Sequence, residues 1–176
     1  LLSPQIPMLF MGEEWGAREP FPYFCDFNEE LNGKVREGRR KELSRLPGFD
    51  TDELLDPTAM STFEMARLDW SRLAEPQALE MLALYRSLLT LRHQRIVPLL
   101  KGTGGGVGRH HRHGSMTVAE WVLNNGSTLR LLANLSDKTG TPPSPPSGEV
   151  IFSRGAATDE IFGPWAVTAI ISPAAS

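Results

Sequence analysis

The sequence predicts an α/β part followed by an all-β part, and three observations support this division. A short apolar run, Met8–Met11, has the form of a buried strand. A later segment that begins at Pro76 repeats apolar residues at helical spacing. Near the C-terminus, the dipeptide Asn125–Gly126 separates two apolar segments, which is a strong signal for a β-hairpin. Composition changes at the glycine-rich stretch after residue 100, so we expect one domain over 1–98 and a second over 99–176.

The apolar run Met8–Met11 is bounded by Pro7 and Gly12. Short continuous apolar runs suit strands buried on both faces, as in parallel sheets that are covered by helices. The polar and aromatic segment after Gly12 would then be a loop at the carboxyl end of the strand, where such folds place their chemistry. A core strand that ends in an acidic surface turn explains the same residues equally well.

The segment between the run and the second domain predicts two helices. Asn28 is a suitable N-cap, with acidic residues behind it, for a helix that continues to about Ser44. Residues 47–73 contain turn pairs, including Pro47–Gly48, and show no regular period. The helix that begins at Pro76 is the clearest element, with an apolar stripe made of Ala78, Met81, Leu82, Tyr85, Leu88 and Leu89.

The C-terminal part predicts a small antiparallel sheet or sandwich. Its expected strands are Met116–Leu123, Thr128–Leu135, Glu149–Ser153 and Trp165–Ser172. A proline-rich loop, with Pro142, Pro143, Pro145 and Pro146, separates the second strand from the third. The stretch Arg109–His113 contains three histidines, but neighbouring side chains of a strand point to opposite faces, so a solvated basic segment is favoured over a zinc site.

Composition excludes several functional classes. The chain has 176 residues and a formal net charge of −3, which gives no general attraction to nucleic acid or to an anionic membrane. No stretch approaches the roughly 20 apolar residues that span a bilayer. The single Cys25 excludes an internal disulfide and favours a cytoplasmic location. We expect no signal peptide at the start of the chain, because Leu1–Pro4 contains no basic residue and no methionine. We expect no metal and no cofactor. The glycine segment 102–108 is a poor candidate for a phosphate loop, because no Lys–Ser/Thr pair follows it.

No complete catalytic set lies within these residues. A Gly–x–Ser–x–Gly nucleophile elbow is absent from the sequence, and nothing near Cys25 would activate a thiol. Glycoside hydrolysis needs two carboxyl groups on opposite sides of one bond. Glu13 and Glu14 are adjacent in the sequence and do not fit that arrangement. We therefore expect no catalytic residue in this chain.

An ordered set of motifs resembles the α-amylase superfamily, glycoside hydrolase family 13, and within it the trehalose-releasing members. The first motif, Pro7–Trp15, is similar to the eighth barrel strand and its following loop. The later motifs follow in the same order: Tyr23–Asp26, Val35–Glu42, Asp56–Pro57, Thr62–Glu64, Leu68–Trp70 and Leu84–Leu88. The resemblance covers roughly residues 1–98, and the rest only in architecture. Phe27 departs from the pattern, because a histidine is expected after the aspartate.

This resemblance implies the last strand, loop and helix of a (β/α)8 barrel, followed by a C-terminal antiparallel β-sandwich. It implies hydrolysis of the α-1,4 bond next to the terminal trehalose unit of maltooligosyl trehalose. The family's catalytic carboxylates follow barrel strands four, five and seven, which are expected before Leu1, so the chain would be a C-terminal fragment without activity of its own. The residues expected to bind the α-glucan substrate are Glu13, Glu14, Trp15, Phe24 and Asp26; packing or loop-fixing roles are equally compatible.

Two other functions remain open at this point. The chain could be a non-catalytic module that binds α-glucan through its β-domain, with Trp121 and Trp165 as platforms, although single tryptophans in strands more often belong to a core. It could also be a fragment of a glycogen branching or debranching enzyme. Upstream sequence would separate this last possibility from trehalose release.

Overall fold

The computed structural model describes residues 1–47, 54–144, 147–156, 158 and 161–174. Within these ranges it contains three α-helices: α1 Glu29–Leu43, α2 Met60–Met65 and α3 Pro76–Leu91. It also contains five strands: β1 Gly108–His113, β2 Met116–Val122, β3 Thr128–Asn134, β4 Glu149–Ala156 and β5 Phe162–Ser172. Parts of two predicted features lie outside the described residues: Gly48 of the turn, and Pro145 and Pro146 of the proline-rich loop.

The chain forms two compact units. One contains Leu9–Ala83, and the other contains Leu1–Met8 together with Leu84–Ser176, so the boundary falls within α3. None of the helices in the described ranges is long and apolar enough to cross a membrane.

The predicted antiparallel sheet is present in the second unit. Its five strands follow the order β1-β2-β3-β5-β4, and all neighbours are antiparallel. The predicted hairpin joins β2 to β3: Gly126 has a φ of +80°, and its N–H donates to the carbonyl of Leu123 over 2.9 Å. The described strands form a single sheet. The segment Arg109–His113, expected to be solvated, is fully exposed but is also a strand at the edge of this sheet.

Both faces of the sheet carry buried apolar side chains, because alternate residues of a strand point to opposite faces. One cluster contains Met116, Val118, Leu132, Phe162, Ala166 and Ile170. The other contains Leu2, Ile96, Leu123, Leu129 and Ala169, and residues from the end of α3, such as Leu88 and Leu91, pack against it. The end of α3 therefore covers one face of the sheet.

The C-terminal end of α3 continues into a π-helical turn, Arg92–Ile96. The Arg92 side chain is only 7% exposed. Its guanidinium donates to the carbonyl oxygens of Leu1 and Gln5, each over 2.8 Å, as well as to those of Ser3 and Pro4. A buried cation thus attaches the first residues of the chain to the end of a helix that lies about 90 residues later in the sequence.

The predicted strand over Met8–Met11 is not present in the structure. Met8 is 92% exposed, and Leu9, Phe10 and Met11 are also exposed. The physical reason is that a strand exists through hydrogen bonds to a neighbouring strand, and no strand in the described ranges pairs with this run. An apolar composition alone did not determine the local conformation.

The predicted helices are present, with one addition. The side chain of Asn28 accepts the N–H of Leu31 over 3.0 Å, so it caps α1 as expected. The helix α3 begins at Pro76, also as expected. The segment 47–73, expected to be irregular, contains α2 and the start of a 3₁₀ turn, Trp70–Ala74.

We predict that Arg92→Met lowers the free energy of unfolding by about 2–4 kcal/mol, because several partly buried carbonyl groups lose a charged hydrogen-bond donor together. Arg92→Lys should recover only part of this loss, since an ammonium group cannot match the planar guanidinium fork. Urea denaturation followed by circular dichroism measures the effect. The exposed Arg86 on the same helix provides the control: an Arg86→Met variant as unstable as Arg92→Met would contradict the prediction.

Candidate functional site

The loop that carries the predicted substrate-binding residues begins with a tight turn at Gly12. This residue has a φ of +85°, and a Cβ placed on it would lie 2.5 Å from the Cβ of Ala17. The N–H of Ala17 donates to the carbonyl of Gly12 over 2.9 Å. Only glycine fits both the left-handed backbone and this close approach. The turn determines where the following 3₁₀ segment, Glu13–Trp15, begins.

The two acidic residues of this turn have different surroundings. Glu13 is exposed, and its Oε2 accepts the N–H of Phe10 over 3.1 Å. Glu14 is half-buried. Glu13 therefore holds the backbone of its own turn by this hydrogen bond, and its side chain lies at the surface.

Trp15 is a core residue of the unit Leu9–Ala83. Its side chain is 3% exposed and its ring centroid lies 6.2 Å from that of Trp70. Its Nε1 is buried and has no hydrogen-bond partner among the described residues. In this conformation the indole ring packs inside the unit and does not offer a face to solvent.

Phe24 belongs to a row of four aromatic rings, Phe10, Phe21, Phe24 and Phe63, which we call the aromatic row. Consecutive ring centroids lie 4.9, 5.7 and 5.2 Å apart, and each pair meets edge to face. This geometry is the one that aromatic quadrupoles favour. The next residue, Cys25, donates its N–H to the carbonyl of Pro57 over 2.8 Å. Asp26 follows this anchored point and is exposed.

A charged cluster, which the sequence did not reveal, fixes the rest of the loop. The Glu19 carboxylate accepts the backbone N–H groups of Arg18 and Asp69 over 3.0 and 3.4 Å. Its Oε1 also lies 3.5 Å from the Arg72 guanidinium, which pairs with Glu75 over 3.1 Å. Glu19 and Arg72 are 53 residues apart in sequence, so no local pattern could have predicted this pairing.

Hydrogen bonds to the ionised forms shift the pKa values of this cluster. The pKa of Glu19 is lowered, chiefly by backbone N–H groups, its own first, with a further contribution from the positive charge of Arg72. The pKa of Arg72 is raised, mainly by its hydrogen bond to Glu75. The pKa of Asp69 is lowered because the Ser71 hydroxyl and N–H donate to its carboxylate. All three groups therefore favour the charged state.

Two cavities lie in the same unit. A cavity of about 520 Å³ is lined by α1 and residues 54–57, and includes Arg36 and Arg39. Arg36 lies within 4 Å of Glu29 and Asp56, whereas Arg39 pairs with Glu42 and lies over the Tyr23 ring. A smaller cavity of about 180 Å³ is lined by Trp15, Gly16, Arg18, Arg72, Glu75, Gln77, Ala78 and Met81. In the smaller cavity, Arg72 pairs with Glu75.

The tryptophans and histidines of the β-sheet unit differ in exposure. Trp121 is half-buried and packs against the second apolar cluster, whereas Trp165 is 68% exposed. His110, His111 and His113 are all exposed on β1. Across the described ranges, no group of three or more histidine, cysteine or acidic side chains could hold a metal ion.

We predict that Glu19→Gln lowers stability at about pH 7 and that this destabilisation is smaller at about pH 3. The folded-state pKa of Glu19 lies below its ordinary value of 4.5. Its ionised form therefore stabilises the fold above that value, and the contribution is lost as the pH falls through the folded pKa. Thermal melts of both proteins at the two pH values measure it. Glu64→Gln, at an exposed position, is the control. A destabilisation that persists undiminished at low pH would contradict the prediction.

Comparisons with known proteins give a consistent result. Residues 105–168 match the protein family described as a domain of unknown function, DUF3459. A malto-oligosyltrehalose trehalohydrolase of Brevibacterium helvolum is 38% identical over 138 residues, which is 78% of this chain and 22% of that protein. The protein of the same name from Deinococcus radiodurans is 42% identical over 94 residues, which is 53% of this chain and 16% of that protein.

A solved structure is similar over almost the whole chain. A Salmonella typhimurium protein described as an alpha amylase superposes with a TM-score of 0.85 at 33% identity, over 97% of this chain and 29% of that one. The chain therefore spans about a fifth of the first relatives and under a third of this structure. These matches confirm the resemblance indicated by the sequence motifs: over the part that it spans, this chain is similar to proteins named malto-oligosyltrehalose trehalohydrolase and to a structure described as an alpha amylase.

Proposed function

We propose that this chain is part of a glycoside hydrolase that cleaves the α-1,4 bond next to the terminal trehalose unit of maltooligosyl trehalose and releases trehalose. The observation that carries the proposal is the 38% identity, over 78% of the chain, to a protein named for that activity. The substrate would be an α-glucan with a trehalose end. We include in the proposal a cytoplasmic location, favoured by the single Cys25, and no nucleic-acid partner, favoured by the net charge of −3.

We place this chain at the end of a (β/α)8 barrel, with residues 1–98 as its last strand, loop and helix and residues 99–176 as a β-sandwich domain. Support comes from the apolar segment Ile6–Met11, whose residues Ile6 and Met8 are 94% and 92% exposed. Apolar side chains in water are unfavourable, by roughly 25 cal/mol for each Å² that burial would remove. In the longer protein, neighbouring barrel strands would cover these side chains and pair with the backbone.

The loop after this segment is the part of the chain that we propose to contact substrate, through Glu13, Glu14, Trp15, Phe24 and Asp26. Asp26 is exposed beside an anchored backbone, so its carboxylate can accept hydrogen bonds from sugar hydroxyls. Phe24 would act through the aromatic row, whose outer rings are about half exposed. Trp15 is buried, and its contribution would be to hold the loop in place.

The chemical step would be performed by residues outside this chain. A retaining mechanism needs a nucleophile and an acid about 5–5.5 Å apart that flank the scissile bond. Glu13 and Glu14 follow one another in a 3₁₀ turn, and Glu13 is engaged with the Phe10 backbone. Two neighbouring carboxylates of one turn, of which one is hydrogen-bonded to the backbone, do not suit a catalytic pair that flanks a bond. The chain would thus help to position the sugar without supplying a catalytic carboxylate.

The first prediction from this proposal is that the 176-residue chain alone does not release trehalose, whereas the longer protein that carries it does. Removing catalytic groups as a set typically costs about a million-fold in rate. The measurement is trehalose release from maltooligosyl trehalose by both proteins under the same conditions. Turnover by the isolated chain that persists through further purification would contradict this. A longer protein that transfers or debranches glucan without releasing trehalose would favour the branching or debranching alternative.

The second prediction is that Asp26→Ala in the longer protein lowers kcat/KM by about tenfold, because one charge-assisted hydrogen bond to the sugar is lost. Glu64→Ala removes an exposed carboxylate from the same unit and should leave kcat/KM unchanged. Melting temperatures would confirm that both variants remain folded. Equal effects of the two substitutions on kcat/KM would contradict a substrate-binding role for Asp26.

A further inference from the structure

The strand β5 contains an irregular step near its start. Arg154 of β4 lies opposite Val167, but Ala156, two residues further on, lies opposite Phe162, which is five residues away from Val167. Four residues of β5, Gly163 to Ala166, therefore lie opposite the single residue Gly155 of β4 and form a bulge. Gly155 on the facing strand has a φ of +77°, and a Cβ placed on it would lie 3.1–3.2 Å from Ala166. The two strands therefore approach closely at the bulge.

A buried asparagine fixes this bulge. Asn134 is fully buried, and its Nδ2 donates to the carbonyls of Gly163 and Phe162 over 2.8 and 3.3 Å. The same Nδ2 donates to the carbonyl of Lys138 over 2.6 Å, and Asn134 Oδ1 accepts the hydroxyl of Ser136 over 3.0 Å. One side chain therefore connects the bulge to the turn 134–138.

This frame presents Trp165 to solvent. Trp165 has a φ of +57°, the one positive φ outside glycine in the described residues, and its N–H donates to the carbonyl of Ser136 over 3.2 Å. A left-handed backbone is unfavourable for a bulky residue. The side chain is nevertheless 68% exposed, so burial of the indole does not compensate. Strain of this kind, held by its surroundings, is typical of functional positions.

We propose that Trp165, in the β-sheet unit, is a stacking platform for a glucose unit of an α-glucan. The ligand class rests on the proposed function. A pyranose ring has an apolar C–H face that fits a flat indole, and its hydroxyl groups need polar neighbours. The turn beside Trp165 supplies such neighbours, because Asp137 and Lys138 follow Ser136 and are exposed.

The surroundings of Trp165 favour a sugar over a protein partner. A stable protein interface buries about 800 Å² on each side around a wide apolar centre. Here the exposed apolar side chains of Trp165 and Leu135 lie beside a turn that contains the exposed polar residues Asp137 and Lys138. Trp121, the other candidate platform, is half-buried and packs against the apolar cluster that contains Leu129 and Ala169. It therefore exposes less of its ring for stacking than Trp165 does.

The test measures binding of maltoheptaose to the 176-residue chain by calorimetry and by tryptophan fluorescence. Trp165→Gly should weaken binding by about tenfold or more and abolish the fluorescence change, whereas Trp165→Phe should keep part of the affinity. Val122→Ala truncates an apolar strand residue that is 56% exposed, and it should bind as the parent chain does. Absence of binding by the parent chain, or equal binding by the glycine variant, would overturn the proposal.

The glycine variant also separates a binding role from a packing role. Glycine adopts a positive φ without strain, so Trp165→Gly should keep or raise the melting temperature. A substantial fall would show that the indole supports the fold, and would overturn the proposal. Self-association of the parent chain that the variant lacks, measured by sedimentation, would assign Trp165 to contacts between copies instead. Trehalose release is measured separately, on the longer protein. A failure of the Trp165 proposal can therefore be distinguished from a failure of the proposed function.

Discussion

The unit that contains the β-sheet depends on one buried cation, the guanidinium of Arg92. Burying a charge is costly unless hydrogen bonds satisfy it, and here the acceptors are backbone carbonyls of the first five residues. The planar fork of arginine can serve several carbonyls at once, which a lysine could not do. By holding this segment, Arg92 keeps Leu2 in the apolar cluster against the sheet. The buried residues of the π-helical turn at the end of α3 are Arg92 and Ile96.

The unit Leu9–Ala83 is stabilised by different interactions. Helix α1 has no buried residue, and much of the loop is held by carboxylates that accept backbone N–H groups, as Glu19, Asp56 and Asp69 do. Such bonds define backbone geometry without a large core. Together with Gly12 and the aromatic row, they give a loop without regular structure a definite shape. This is the property that a sugar-binding loop needs, because hydroxyl recognition requires groups in fixed positions.

Local rules predicted the elements whose causes are local. The N-cap Asn28, the helix from Pro76 and the Asn–Gly hairpin each depend on a few neighbouring residues, and all three are present. Features that depend on distant partners were missed. Met8–Met11 forms no strand without a pairing neighbour, and β1 forms one despite a charged sequence because β2 pairs with it. The family resemblance led to the proposal of a sugar-binding loop, but sequence could not show that Trp15 is buried or that Asn134 binds the bulge that contains the exposed Trp165.

The two edges of the sheet have consequences for how the chain behaves at high concentration. Edge strands offer unpaired backbone groups to other strands, which is a common route to aggregation. At one edge, β1 carries Arg109 and Arg112 on its exposed surface, so a second copy approaching this edge meets like charge. At the other edge, β4 changes register twice, between Val150 and Phe152 and again between Arg154 and Ala156. A strand that bends twice is a poor template for another. Charge protects one side of the sheet and irregular shape protects the other, so colloidal stability should depend on salt mainly through β1.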